Sequence, residues 1–233
     1  MKLEKITDNS VKLTRRVYGD ACGLAHALEL LGERWTLLVV RELMLGGRRF
    51  SELRAALPGL SANVLTQRLA SLEAHGVLRR RVLPPPARVQ IYELTEWGYE
   101  AGPVIEALGR WAARSPAHDP TLPISAVSAL LSLRAMFRRG AVGDAPFTIG
   151  FHLGDDGWLG RVDAEAFAVE RGDPDSADIC FTGAPEALVA FVYSGAPLPA
   201  LAEAGSLRLR GDPALAMRFA DLFRLPPKFD PGP

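Results

Sequence analysis

The residues whose types and spacing could do chemistry fall in one stretch: Asn63, Thr66, Gln67 and Arg68, followed by Arg79, Arg80, Arg81 and Arg88. Side-chain amides and hydroxyls pair with base edges in a DNA major groove, and clustered arginines neutralise phosphates. The first four need a helix, and the pattern predicts one over Ser61 to His75. Ser61 is a good N-cap because its hydroxyl can accept from a free N–H of the first turn, and Gly76 stops the helix. Leu65, Leu69 and Leu72 recur at helical spacing as one apolar stripe. Asn63, Gln67, Ala70, Ser71 and Ala74 lie opposite, with Thr66 and Arg68 on the flanks.

The neighbouring elements define what such a helix is for. Phe50 to Leu57 reads as a short amphipathic helix, and the turn Pro58-Gly59-Leu60-Ser61 gives helix-turn-helix spacing. Val77 to Leu83 and Val89 to Leu94 are strand-like runs around Pro84-Pro85-Pro86, which predicts a hairpin carrying the arginines. Helix, turn, helix and basic hairpin make a winged-helix pattern, in which the helix enters the groove and the wing holds phosphates. A solvated helix beside an ordinary hairpin is the plainer alternative. Ala21 to Leu31 and Trp35 to Leu45 precede the pair as helices, with Trp35 a core or subunit-interface anchor. Arg48 and Arg49 then stand where they can touch the sugar-phosphate backbone, or simply be solvated.

The wording resembles the HxlR-type family of bacterial transcriptional regulators, relatives of the MarR group. It is carried by CGLAHAL (22–28), GERWT (32–36), RFSEL (49–53), LPGLS (57–61), LTQRL (65–69), LEAHG (72–76) and YELTEWG (92–98), over about the first half of the chain. The resemblance implies a dimer on a pseudo-palindromic operator. The expected DNA-binding set is Arg49, Ser61, Asn63, Thr66, Gln67, Arg68, Arg79, Arg80, Arg81 and Arg88. A helix from Thr95 to about Arg114, kinked or divided at Pro103, carries Trp97, Val104, Ile105, Leu108 and Trp111, too many apolar groups to leave in water. Pairing with the same helix of a second subunit would bury them.

Cys22 is a candidate redox sensor, because some regulators that this chain resembles sense oxidants or electrophiles through a cysteine at this position. A thiol near a helix start can have a lowered pKa, but Asp20 opposes the thiolate and no second cysteine lies nearby. A small buried residue is the alternative. Cys180, in the apolar run Ile179-Cys180-Phe181, reads as core.

Net charge is zero, yet it divides: up to His118 there are 17 Lys+Arg against 12 Asp+Glu, and beyond it 10 against 15. A basic front and an acidic back fit one nucleic-acid-facing domain and one facing elsewhere. No apolar run reaches transmembrane length, Met1-Lys2-Leu3-Glu4 is too charged for a signal peptide, and two distant cysteines fit a reducing cytoplasm. The expected division is an arm at 1–20, in which Val11, Leu13, Val17 and Tyr18 can pack on a partner, then a winged domain at 21–114. A proline-rich linker at 115–122, a second domain at 123–226 and a tail at 227–233 follow.

Beyond the linker, a helix at Ile124 to Arg139 precedes strands at Phe147 to Leu153, Trp158 to Val162, Phe167 to Arg171 and Ala177 to Thr182. Helices at Pro185 to Tyr193 and Leu198 to Ala204, a strand at Leu207 to Arg210 and a helix at Pro213 to Phe223 close the pattern. The fold class is α+β. DICFTGAPEAL (178–188), Ser194-Gly195 and GSLRLRGD (205–212) resemble the sterol-carrier-protein-2 (SCP2) fold. That resemblance implies a curved sheet capped by helices around an apolar tunnel. Candidate liners are Val127, Leu131, Phe137, Phe151, Trp158, Phe181, Leu188, Phe191 and Leu215, each of which could equally be plain core.

No enzyme is expected. His26, His75, His118 and His152 are scattered, without metal-ligand spacing or an obvious carboxylate pair, and there is neither a phosphate-cradling loop nor a nucleophile elbow. The expected partners are double-stranded DNA, a second copy of the chain and a small hydrophobic ligand, with no metal, cofactor or membrane. A carrier of lipids or hydrophobic metabolites, whose front half only dimerises, is the reading from another class. A C-terminal domain that only stabilises the dimer is a third.

Overall fold

The structure is a computed structural model that describes residues 18–140, 146–230 and 232. Val11, Leu13 and Val17 lie outside the described residues. Tyr18 is described, and it is exposed.

The front half begins with α1 (Gly23–Leu31), α2 (Thr36–Leu43), α3 (Phe50–Ala56) and α4 (Ala62–Ala74). A hairpin of β1 (Leu78–Val82) and β2 (Gln90–Leu94) follows, and then α5 (Glu96–Tyr99) and α6 (Gly102–Ala112). The expected long helix after Thr95 is thus two pieces, because Pro103 has no N–H to give and sits in the first turn of α6. Leu65, Leu69 and Leu72 of α4 pack onto Val39, Val40 and Leu43 of α2 within one buried apolar cluster. The hairpin is antiparallel, with Arg79 opposite Glu93 and Arg80 opposite Tyr92. Thr95 Oγ1 donates to Gly76 O at 2.7 Å and so ties the end of β2 to the start of β1. Gly98 completes that junction: a Cβ there would lie 2.1 Å from Val77 O, so no larger residue fits.

The back half opens with α7 (Ala126–Met136), β3 (Phe147–Leu153), β4 (Asp156–Val162) and β5 (Phe167–Arg171). A single 3-10 turn (Pro174–Ser176) leads to β6 (Ile179–Gly183), α8 (Pro185–Ser194), α9 (Leu198–Glu203), β7 (Leu207–Arg210) and α10 (Pro213–Ala220). The strands form one sheet in the order β5-β4-β3-β6-β7. β3 and β6 run parallel and the other neighbours antiparallel. Alternation places Phe147, Ile149, Phe151 and Leu153 of β3 in the core, and Thr148 and His152 on the other face.

The two halves share a core, which the expected linker does not suggest. Val127, Leu130 and Leu131 of α7 belong to the same buried cluster as Val39 and Leu43 of α2. Polar contacts reinforce this seam: Ser125 Oγ donates to the buried Glu42 at 2.7 Å, and Arg134 Nε to Glu106 at 2.6 Å. Residues 115–122 hold no helix or strand. The tail returns to this segment. Lys228 Nζ donates to the carbonyls of Ala113 (3.2 Å), Ser115 (3.0 Å) and His118 (2.9 Å), and Phe229 N–H donates to Arg114 O at 2.7 Å. Among the described residues, no helix is long and apolar enough to cross a membrane.

Candidate nucleic-acid interface

Helix α4 begins where Ser61 Oγ accepts from Val64 N–H at 3.3 Å. Ser61 therefore serves the helix end first, and its exposed edge adjoins the N–H groups of the first turn. Asn63, Thr66, Gln67 and Ala70 are exposed, on the side away from the three buried leucines. Thr66 Oγ1 donates to Ala62 O at 2.9 Å, which fixes its rotamer and leaves an oxygen lone pair and the methyl group outward. Arg68 differs from the expectation. Its side chain is 18 % exposed and its guanidinium pairs with Glu33 at 3.2 Å, so it braces α4 against the turn before α2 instead of pointing outward.

The hairpin arginines are exposed, but three of the four already have carboxylates. Arg79 and Arg81 share Glu93, at 2.7 and 2.9 Å, and Arg80 reaches Glu73 of α4 at 2.7 Å. Two guanidinium groups on one carboxylate leave one positive charge, and Arg80 with Glu73 leaves none. Hydrogen bonding to Glu73 also raises the Arg80 pKa further above its already high ordinary value. Arg88 stands at the loop tip with a left-handed backbone (φ 42°) and no ion pair among the described residues. Surface pairs of this kind are worth about 1 kcal/mol or less, so phosphates can exchange for the carboxylates.

Arg48 and Arg49 part company. Arg48 pairs by backbone with Tyr92 across the hairpin, and its side chain, 8 % exposed, reaches Asp156 of β4 at 2.7 Å. It is a strut between the halves, buried away from any phosphate. Arg49 is half-exposed at the start of α3, with its N–H donating to Glu52 Oε2 at 2.9 Å. Asp156 also takes Arg171 at 2.5 Å. Burial pushes the Asp156 carboxyl up, but the hydrogen bonds and charges of Arg171 and Arg48 outweigh it and hold the group below its ordinary value.

Cys22 occupies the N-cap position of α1 and is exposed. The N–H groups of Ala25, then of Leu24, lower its thiol pKa, while the Asp20 carboxylate accepts the Cys22 N–H at 2.9 Å. Cys180 is buried, and that burial raises its pKa. Two of the histidines do have carboxylates beside them: His26 lies 3.1 Å from Glu29 and His152 lies 3.4 Å from Asp175. His152, Asp175 and Cys180 bring ligand-type atoms within 4.8 Å of one another, a grouping invisible in their spacing. Arg210 stands 3.6 Å from the Asp175 carboxylate and supplies a cation there already.

Most of the expected tunnel liners pack against one another. Phe151, Phe181 and Phe191 join Phe167, Phe219 and Phe223 in a ring cluster, whose contacting centroids lie between 4.8 and 6.3 Å apart. Trp158 and Leu188 are fully buried beside them, and Val127 is buried at the seam. Phe137 lies tilted against Phe223, with centroids 5.9 Å apart, and Leu215 is half-buried against the core. Of the candidate liners, Leu131 faces a substantial apolar opening, which lies between the halves. Aromatic side chains at strand spacing fill space as readily as they line it, so alternation alone could not separate the two cases.

Sequence reasoning missed the acidic partners. Glu93 was open to inference, since it falls directly across from Arg79 once the hairpin register is laid out. Glu33, Glu73 and Asp156 had no comparable local signal.

Residues 30–119 match the HxlR-like helix-turn-helix family, and residues 138–224 match the SCP-2 sterol transfer family. The uncharacterized HTH-type transcriptional regulator YvaP of Bacillus subtilis is 44% identical over 87 residues, which are 37% of this chain and 80% of that protein. YodB, another HTH-type transcriptional regulator of B. subtilis, is 38% identical over 89 residues, 38% of this chain and 80% of its own. The solved reduced form of YodB is 34% identical and covers 43% of this chain and 100% of its own, with a TM-score of 0.39. A front half of this kind, with relatives matched over four-fifths of their length, makes the chain a member of the HxlR-type family of helix-turn-helix transcriptional regulators, with an SCP-2 domain behind it.

Proposed function

We propose that the chain is a dimeric, one-component regulator that binds a pseudo-palindromic operator through α4 and is tuned by a small hydrophobic ligand. The observation that carries the reading is the outer face of α4, where Asn63, Thr66 and Gln67 are exposed opposite three buried leucines and beside an arginine-bearing hairpin. Asn63 and Gln67 read base edges, Thr66 adds its methyl and oxygen, and Ser61 and Arg49 adjoin the backbone at the helix start. Arg79, Arg80, Arg81 and Arg88 supply the salt-dependent part. Arg68 acts by holding α4 in place.

The division of labour follows 21–114 for DNA and dimerisation and 123–226 for the ligand-responsive domain. Exposed Val104 (67 %), Leu108 (47 %) and Trp111 (71 %) of α6, with Leu24 and Leu28 of α1, offer the subunit contact. Cys22, exposed and activated by the N–H groups at the start of α1, is the candidate for oxidant or electrophile sensing. The carrier reading draws less support, since Phe151, Phe181 and Phe191 pack against other rings rather than around an opening.

Fluorescence anisotropy against DNA from upstream of the chain's own gene and against scrambled DNA, at two salt concentrations, tests the reading. Preference for the upstream DNA that survives the higher salt is the expected result. Equal binding to both, erased by salt, overturns it.

A further inference from the structure

The opening that Leu131 faces is a cleft of about 370 Å³, and its walls come from both halves. Leu37 and Leu38 of α2 and Ile105 and Leu108 of α6 form one side, and Ser128, Leu131 and Ala135 of α7 form the other. That volume is within the range of about 300–1,000 Å³ typical of small-molecule sites. We propose that this cleft between the winged half and the SCP-2 half, and not the centre of the SCP-2 domain, is the effector site, and that it takes an uncharged, largely apolar molecule with one hydrogen-bonding group. The inference rests on the regulator reading for its consequence, but not for the binding itself.

The chemistry of the occupant follows from how the polar groups at the cleft are already used. Arg41 spends its guanidinium on Glu42, at 3.0 and 2.7 Å, and Glu106 accepts from Arg134 at 2.6 Å. A charged ligand would find no unpaired counter-charge in either, and would have to break a pair to gain one. Ser132 is engaged with the Tyr193 hydroxyl at 3.0 Å. His118 also lines the cleft, with its Nδ1 3.5 Å from Lys228 Nζ, and Ser128 stands on the α7 wall, where its hydroxyl supplies a polar point that orients an otherwise apolar molecule.

The position also gives a route to DNA. Helix α2 forms one wall and packs in the same buried cluster as α4. A molecule that wedges α2 from α7 therefore bears on the helix that carries Asn63 and Gln67, and it regulates to the extent that it binds the two arrangements unequally.

The experiment titrates the full chain with N-phenylnaphthylamine, a neutral dye that fluoresces in apolar surroundings, with no DNA present. Saturable binding at one dye per chain is expected, weakened roughly tenfold or more by Ser128→Phe. Gly109→Leu provides a second block: Gly109 lines the cleft and a Cβ there meets nothing within 4 Å, so the helix accepts the larger residue. Met217→Ala, on the exposed side of α10 and away from the cleft, should leave the affinity unchanged. Absence of saturable dye binding, wild-type affinity in both blocking variants, or loss in Met217→Ala overturns the proposal. Binding only once the dimer is broken also overturns it, since the partner subunit would then be the occupant. Upstream and scrambled DNA, added in a separate arm, report on the regulator reading, so a cleft that binds dye without altering operator affinity separates the two failures.

Discussion

Gln67 and Arg80 lie close together yet should fail in different ways. Gln67 projects from the outer face of α4, so Gln67→Ala should cost about 1–3 kcal/mol on the operator and little on scrambled DNA. Equal losses on both would remove it from base reading. Arg80 is a hairpin cation held by Glu73, so Arg80→Ala should weaken every sequence and lower the slope of log K against log salt by about one. Cys22 makes a third contrast at this scale. Its thiol pKa is lowered by backbone N–H groups, whereas burial raises that of Cys180. The pH profile of iodoacetamide labelling should show one reactive thiol with a midpoint below that of an ordinary cysteine, and Cys22→Ser should abolish it. A midpoint at or above the ordinary value would leave Cys22 a passive residue. The exposure of Gln67 and Arg80 was legible because helical and strand periods assign faces from spacing alone, whereas Cys22 was singled out by resemblance. Arg68 was misplaced because it sits at the edge of its face, where a few tens of degrees separate solvent from Glu33.

The elements bear out most of the expected order, and where they depart the cause is distance along the chain. Arg48 and Asp156 stand 108 residues apart, and no local pattern announces their pairing. The 3-10 turn at Pro174–Ser176 was also missed, although Asp173 followed by proline is a helix-start signal: Asp173 accepts the Asp175 N–H at 3.0 Å. The Arg48–Asp156–Arg171 group joins the hairpin of the winged half to β4. Asp156→Asn removes the charge and should destabilise the protein by about 1–3 kcal/mol near neutral pH, read by denaturant unfolding. The sign with pH follows from the lowered Asp156 pKa. Its contribution is complete above the ordinary carboxylate value of about 3.9 and is lost as pH falls through the folded-state value. The gap between wild type and Asp156→Asn should therefore close in acid. A gap that persists unchanged there would assign the effect to packing.

For the whole molecule, the buried cluster that runs from α2 and α4 through α7 into the sheet decides how it unfolds. Two domains on a free linker would melt separately, whereas halves that share Val39, Leu43, Val127 and Leu130 should melt in one calorimetric transition. The exposed stripe on α6 belongs to the same scale. If the proposed pairing runs through it, Trp111→Glu should leave a monomer in sedimentation and weaken binding to a two-half-site DNA, because two half-sites need two recognition helices. An unchanged mass would place the subunit contact elsewhere.

Lys228 gathers the carbonyls of Ala113, Ser115 and His118, just beyond the end of α6. One ammonium therefore sets the path of the segment that joins the halves, and acetylation there, by removing its charge and two of its protons, would release several backbone acceptors at once.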